Sequence, residues 1–411
     1  MISAPKTPMI DIHRLAVEQA VNKLIGYAVM LPASDIFFTS NENNVSIGVR
    51  HLGIVYPIAN VPCETGKKFL SHVKALAAMD VSDRRRPQDG RWIHKSEGGE
   101  NVDLRANIIP TLYGEDLALR ILSRSSRLYK IEELGLCKSQ MAELIEMLDS
   151  PSGLILITGP TGSGKTATLY ASLMHLNDGS RKINTIEDPI EYAIEGLRQS
   201  QVNPQIELGF STLLRNVLRQ SPDVIMVGEI RDIETAETAV RAANSGHLVF
   251  ATIHAPDAAA GVQSMRGLGV HPHFLASSLR GIISQRLVRT LCCKCKTKFD
   301  LSSAPHTFDE VRQWLAPEEG HFLYAPKGCA ECQMMGYGGR TGVFEIMRIT
   351  RTLREMISQG RSTREIHSEA AVGKMLHFRQ SALLKVAQGL TSTEEVFRVI
   401  PTEHLQEEAA H

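Results

Sequence analysis

Residues 11–30 carry apolar positions at helical spacing: Leu15, Ala16, Ala20, Leu24 and Ile25 recur so as to share one face, and Pro32 then stops the helix. Beyond the turn-like pair Asn43-Asn44 the period shortens to two. Val45, Ile47 and Val49 alternate there, and Ile54 and Tyr56 continue on a second strand. A helix over 64–79 and strands near 102–105 and 117–121 complete an α+β domain over residues 1–122. The polar stretch Ser123-Arg124-Ser125-Ser126-Arg127 opens a linker over 123–135.

From Leu136 helices alternate with unbroken apolar runs at 154–158, 183–186, 224–227 and 248–253. A strand that is apolar at successive positions is buried on both faces, so these runs predict a parallel sheet covered by helices over 136–290. Phe210, Leu213, Leu214, Val217 and Leu218 mark one face of a helix, and Asp232 is placed to cap another that ends at Gly246. A cysteine-bearing unit over 291–345 and a helical region over 346–411 follow, with Leu376, Leu383, Leu384, Val396 and Phe397 expected in the core.

The length of 411 residues exceeds what one core organises, at about 150 residues per domain. Hydrophobic residues make up 43% and charged residues 22%, an ordinary globular balance that excludes a disordered or fibrous chain. Lys plus Arg and Asp plus Glu both number 45, so no global field recruits nucleic acid or an anionic membrane. No apolar run approaches the ~20 residues of a membrane span. Residues 1–10 lack a basic segment followed by an apolar one, so no signal peptide is expected and a cytoplasmic location is.

Seven cysteines in a chain read as cytoplasmic point to metal or burial rather than disulfides. Cys292 with Cys295 and Cys329 with Cys332 form two Cys-x-x-Cys knuckles, which offer paired thiolates to a tetrahedral ion. The stretch 296–328 between them reads as a loop or small excursion. Cys293 lies inside the first knuckle, where the two-residue spacing favours its neighbours. Cys63 and Cys137 read as buried small hydrophobes.

Gly159-Pro160-Thr161-Gly162-Ser163-Gly164-Lys165-Thr166 lies between an apolar strand and a helical pattern, the context of a phosphate-binding loop. Its glycines let backbone N–H groups wrap a phosphate at a helix N-terminus, Lys165 would reach the β- and γ-phosphates, and the Thr166 hydroxyl would hold magnesium. Glu229 follows the run 224–227 and has the place of a carboxylate that holds magnesium through water. The cluster Glu187-Asp188-Pro189-Ile190-Glu191 leaves the run 183–186. It supplies an acceptor for an attacking water, and spacing alone does not choose between Glu187 and Glu191. His247 and His254 flank the run 248–253, placed to sense nucleotide or contact a neighbouring subunit.

Taken together, residues 159–166, 186–191, the Glu229 element and the sequence Gly246-His247 to Thr252-Ile253-His254 resemble the motifs of the bacterial type II secretion and type IV pilus assembly ATPases, in their order. The resemblance runs from about Ala33 to Pro401 and includes 85–91, 103–105 and 120–122 of the N-terminal domain. It implies an α/β fold: a RecA-like P-loop domain with a parallel sheet, preceded by a smaller α+β domain and followed by a zinc-bearing and helical C-terminal region. It further implies a homo-hexamer that hydrolyses ATP with Mg2+ and moves an inner-membrane platform protein, placing the chain beside that membrane through its partners. Glu191 becomes the water activator, and Arg105 and Arg120 the arginines turned toward nucleotide, whose planar forks suit phosphate oxygens. The four cysteines match the zinc-holding assembly branch rather than the retraction motors. Two departures stand out: Phe37-Phe38-Thr39 follows Asp35-Ile36 where the family has a histidine and an acidic residue, and the extra N-terminal recruiting domain of many relatives is expected to be missing.

Two other readings compete. An ATP-driven nucleic-acid motor would use the cysteine unit as a zinc ribbon with Lys294, Lys296 and Lys298, but the stacking aromatics of such a surface are not interleaved with them, and no specific nucleic acid is expected. A scaffold that binds ATP without turnover is at odds with Lys165, Thr166 and Glu229 all being present.

Overall fold

The computed structural model describes residues 9–95, 99, 101–123 and 128–405. By contact, the chain divides into two compact units, Met1–Arg127 with Gly328–Gly336, and Leu128–Lys327 with Tyr337–His411. Most of the polar stretch read as opening the linker, residues 124–127, lies outside the described residues.

The first unit contains α1 (Val17–Met30), β1 (Asp35–Ser40), β2 (Asn44–His51), β3 (Ile54–Pro62), α2 (Cys63–Leu76), β4 (Gln88–Lys95), β5 (Asn101–Thr111) and β6 (Gly114–Ser123). The strands form one antiparallel sheet in the order β3-β2-β1-β6-β5-β4. Val45, Ile47 and Val49 are buried as their alternation requires, and Leu24, Ile25, Phe69 and Val73 of the two helices join the same core. The first helix starts later than its apolar spacing suggests: Leu15 precedes it and is 37% exposed. At the departure in β1, Phe38 is buried and meets Phe69 edge-on at 6.4 Å, so that strand serves the core. Cys63 opens α2 only half-buried, with its Sγ directed at the carbonyls of Asn41 and Glu42, so the expected burial is corrected there.

The second unit contains α3 (Lys138–Leu148), β7 (Gly153–Thr158), α4 (Lys165–Leu176), β8 (Ile183–Glu187), β9 (Arg198–Gln201), α5 (Phe210–Val217), β10 (Val224–Val227), α6 (Ile233–Asn244), β11 (Leu248–Ile253), α7 (Ala258–Gly267) and α8 (Pro272–Ser278). It continues with β12 (Leu279–Leu291), β13 (Thr297–Asp300), β14 (Phe322–Ala325), β15 (Tyr337–Arg348), α9 (Arg351–Ser358), α10 (Thr363–Val372), α11 (Phe378–Ala387) and α12 (Thr393–Val399). Seven strands form a sheet in the order β15-β12-β7-β11-β10-β8-β9. It is parallel except at β15, which runs antiparallel to β12. Leu154 and Leu156 point into one core with α6 and α7, while Ile155 and Ile157 point into another with α4, which is why the run is apolar at every step. This is the α/β architecture with a parallel-rich sheet that the alternating pattern requires.

Asp232 caps α6 by accepting the Thr235 N–H at 2.8 Å, and the helix ends just before Gly246, whose φ of 108° reverses the chain. Between the two cysteine pairs the excursion pairs β13 and β14 antiparallel, with a short 3-10 helix, Asp309–Trp314, in the segment that joins them. Two local expectations are corrected. Cys137 is half-buried at the N-cap of α3, beside Ser139. Phe397 is 69% exposed because the amphipathic face of short α12 turns Val396 inward instead.

Lys74 and Glu115 form an ion pair at 2.5 Å inside the first unit, with side-chain exposures of 1% and 10%. Replacing only the lysine strands a buried carboxylate, so Lys74→Ala is expected to destabilise this unit by about 3 kcal/mol or more. Urea unfolding followed by circular dichroism reads the loss, and Lys74→Met combined with Glu115→Leu should recover most of it.

Candidate functional site

The loop Gly159 to Gly164 joins the buried end of β7 to α4. Gly159, Gly162 and Gly164 have φ of 143°, 77° and 90°, the region that side chains disfavour. At Gly159 a Cβ would also sit 2.5 Å from the Gln285 carbonyl oxygen, so close backbone approach and positive φ both require glycine. The Lys165 ammonium donates to the carbonyls of Gly159 and Pro160 at 2.8 and 3.1 Å and rests against its own loop. Burial pushes its pKa down and neighbouring Arg286 adds to this, against the opposing pull of Glu229. Thr166 is exposed at the start of α4.

Gln285 and Arg286 on β12 complete the cradle, although nothing in the motif reading singled them out. Gln285 Nε2 donates to the Ser163 carbonyl at 2.8 Å. Arg286 is 5% exposed, donates to the Pro256 carbonyl at 2.6 Å and lies over the Phe378 ring. The available signal was a polar Ser284-Gln285-Arg286 step inside an otherwise apolar strand.

Glu229 follows β10, the strand flanked by β8 and β11. His254 Nε2 lies 2.7 Å from its Oε1, and Arg231 donates to its Oε2 at 2.6 and 2.7 Å. Burial pushes the carboxyl up, but Arg231 and His254 outweigh it and hold the group below its ordinary range. His247, at the opposite end of β11, instead lies 3.0 Å from the Ala242 carbonyl and closes the end of α6.

The two glutamates after β8 have different surroundings. Glu187 is 3% exposed and accepts hydrogen bonds from the Tyr170 hydroxyl, from Thr185 Oγ1 at 2.6 Å and from Gln199 Nε2 at 3.0 Å. Its oxygens are committed to protein donors. Glu191 is exposed, and its backbone lies against the Tyr170 hydroxyl, so α4 positions it while its carboxylate faces solvent.

On the first unit, strand register sets Arg91 beside Arg105, Arg105 beside Arg120, and Arg120 beside Asp35. These residues line a pocket of about 470 Å³. Arg91 is held bidentately by Asp103 at 2.7 and 2.5 Å, and Arg120 leans on Asp35 at 3.5 Å. Arg105 is thus flanked by like charge, an arrangement that costs stability unless an anion relieves it.

The Sγ atoms of Cys329 and Cys332 lie 3.7 Å apart. The N–H groups of Cys329 and Gly336 both donate to Cys332 Sγ at 3.2 Å, the bonding a thiolate ligand accepts. Of the nearby lysines, Lys296 and Lys298 lie over the rings of Tyr324 and Phe322, and Lys296 also donates to the Gly389 carbonyl, so these two charges serve the local fold. Among the described residues, no helix is long and apolar enough to cross a membrane.

A family model described as type II/IV secretion system protein matches residues 13–398. The chain is 40% identical over 384 residues to type II secretion system protein E of Dickeya dadantii, covering 93% of this chain and 75% of that one. It is 41% identical over 384 residues to the type IV pilus assembly ATPase PilB of Acinetobacter baylyi, covering 92% of this chain and 65% of the relative. A crystal structure of the pilus retraction motor PilT with bound ADP is 26% identical, with a TM-score of 0.58 over 92% of this chain and 96% of that one.

The Gln285 bond to the phosphate loop yields an expectation. Gln285→Ala removes the donor to Ser163 and should weaken nucleotide binding about tenfold, roughly 1.4 kcal/mol. Titration with a fluorescent ATP analogue measures it, and unchanged affinity would show that the loop holds its shape without β12.

Proposed function

The chain belongs to the type II/IV secretion system protein family, and from that premise we propose that it is a mechanochemical ATP hydrolase serving type II secretion or type IV pilus assembly. The observation that carries this reading is the grouping, within one sheet, of the strand ends that bear the glycine loop with Lys165, the acidic cluster with Glu191, and Glu229 paired with His254. In the reaction, a water oxygen bonds to the γ-phosphorus as the bond to the β,γ-bridging oxygen breaks, leaving ADP and inorganic phosphate. Glu191 orients that water and accepts its proton. Lys165 leaves the carbonyls of Gly159 and Pro160 for the phosphate oxygens, and the loop N–H groups receive their negative charge. Glu187 keeps the acidic cluster in place through Tyr170.

The Thr166 hydroxyl and the Glu229 carboxylate are the oxygen ligands that would hold magnesium, and a carboxylate kept ionised by Arg231 and His254 fits a hard cation. Magnesium, when bound, neutralises charge on the phosphates. Arg105 and Arg120 supply further cationic charge, toward the nucleotide of their own chain or of a neighbour in a homo-hexamer. Cys292, Cys295, Cys329 and Cys332 would supply the four thiolates of a closed, tetrahedral zinc site, and the N–H bonds that Cys332 Sγ accepts fit a thiolate ligand. The driven partner is an inner-membrane platform protein, and the location is the cytoplasmic side of that membrane. The names of the secretion and pilus-assembly relatives support a link to such machinery.

Steady-state hydrolysis beside nucleotide binding tests the mechanism. Glu191→Gln should lower kcat by about a hundredfold or more while ATP still binds, as expected when the group acts on the reacting water. Glu187→Gln should instead lower thermal stability, with a smaller effect on kcat. Parent-like turnover by Glu191→Gln would refute the assignment.

Zinc is expected at one ion per chain on the four cysteines. Elemental analysis of protein prepared without chelator checks it, and Cys292→Ser with Cys329→Ser should abolish that ion.

A further inference from the structure

Glu345 lies on β15 with 1% of its surface exposed. Two backbone donors hold its carboxylate: the Phe378 N–H at the start of α11 reaches Oε1 at 3.0 Å, and the Ala258 N–H at the start of α7 reaches Oε2 at 3.2 Å. Each carboxylate oxygen still has a second lone pair. His377, the N-cap of α11, places Nδ1 4.0 Å from Oε1, and His367 on α10 lays its ring against His377 with centroids 4.2 Å apart and planes inclined by 31°. One ligand atom from each of the three residues lies within 4.8 Å of the others. Ser284, the register partner of Glu345 on β12, is fully buried and its hydroxyl has no hydrogen-bond partner, so an unused oxygen donor sits on the same side of the sheet.

We propose that Glu345, His367 and His377 form a second metal site, separate from the cysteine group, that takes a divalent first-row transition ion. Two imidazoles and a carboxylate are the ligand set for zinc, cobalt or nickel rather than for magnesium or calcium. Ligands held tetrahedrally at about 2.0–2.2 Å lie ~3.3–3.6 Å apart, so atoms within 4.8 Å of one another need to close by about an ångström, which side-chain rotation of the two imidazoles can supply. The bonds from Phe378 and Ala258 orient the carboxylate as outer-shell donors orient ligands in metal sites. Burial pushes the Glu345 carboxyl up to about 7, the mark of a buried carboxylate short of positive charge. Both imidazoles are partly exposed, His377 by 20%, so the group is not sealed from solvent. Once bound, it ties α10 and α11 to β15 and to the start of α7, four residues beyond His254.

The experiment uses the full chain with its cysteine group loaded, washed with a mild chelator and titrated with Co2+. Wild-type protein should take up one ion more than His367→Ala/His377→Ala, and this ion should show weak d–d absorption without the thiolate charge-transfer band of a cysteine-bound cobalt. Its melting temperature should rise on loading, while that of the double variant does not. A thiolate band reports separately on the cysteine group, so failure there is not mistaken for failure here. Should the double variant fold poorly, His377→Gln keeps the N-cap position polar and should still weaken uptake tenfold or more. Wild-type protein that binds only the cysteine-held ion, or a variant that binds the second ion with unchanged affinity, would overturn the site.

Discussion

A parallel strand that is apolar at successive positions has to be covered on both sides, and β7 is that strand here. All six of its residues are buried, and its side chains feed two separate cores. That double burial fixes where the strand ends, and therefore where the glycine loop begins. Because β12 pairs with one edge of β7 and β11 with the other, the loop emerges into a space already walled by Gln285 and Arg286 on one side and His254 on the other. A cradle on a less buried strand would have no such fixed origin.

Charge at this end of the sheet is arranged in pairs rather than as a general excess. Glu229 stays ionised through Arg231 and His254, while Glu187 exhausts its oxygens on Tyr170, Thr185 and Gln199. Both carboxylates have their oxygens engaged, Glu229 by charged or chargeable side chains and Glu187 by neutral donors in the interior. In the first unit the arrangement is reversed, since antiparallel register lines up Arg91, Arg105 and Arg120 and provides fewer acidic partners than cations. Asp103 and Asp35 relieve the two outer guanidinium groups, and Arg105 between them faces like charge, a setting suited to an anion such as phosphate.

Cross-links of a different kind organise the C-terminal part. Glu345 receives the N-termini of α7 and α11, Arg289 and Arg398 converge on buried Glu395, and Lys385 reaches back to the Gly135 carbonyl at 2.5 Å. Apart from Arg398, which lies three residues from Glu395, each link joins residues far apart in the chain through a group too costly to bury alone. The helices that follow β15 are thereby held to β15 and to β12, and β12 pairs with β7, the strand that leads into the glycine loop.

Sequence by itself determined the parts whose physics is local. A glycine loop between an apolar strand and a helix, a capping Asp232, two Cys-x-x-Cys knuckles and the alternation in Val45, Ile47 and Val49 each need only residues close together in the chain, so each was legible there. The different surroundings of Glu187 and Glu191 were not, because they depend on which donors arrive from α4 and β9, and no spacing within the cluster encodes that. Cys63, Cys137 and Phe397 were misjudged for a related reason: apolar character fixes a preference for burial, while the local chain direction decides whether it is met. The arginine row, the Gln285 contact and the Glu345–His367–His377 group arise from register and packing between distant elements. Only the tertiary structure decided them, because a side chain's partner across a sheet depends on how two strands are aligned, and that alignment is set by the whole core.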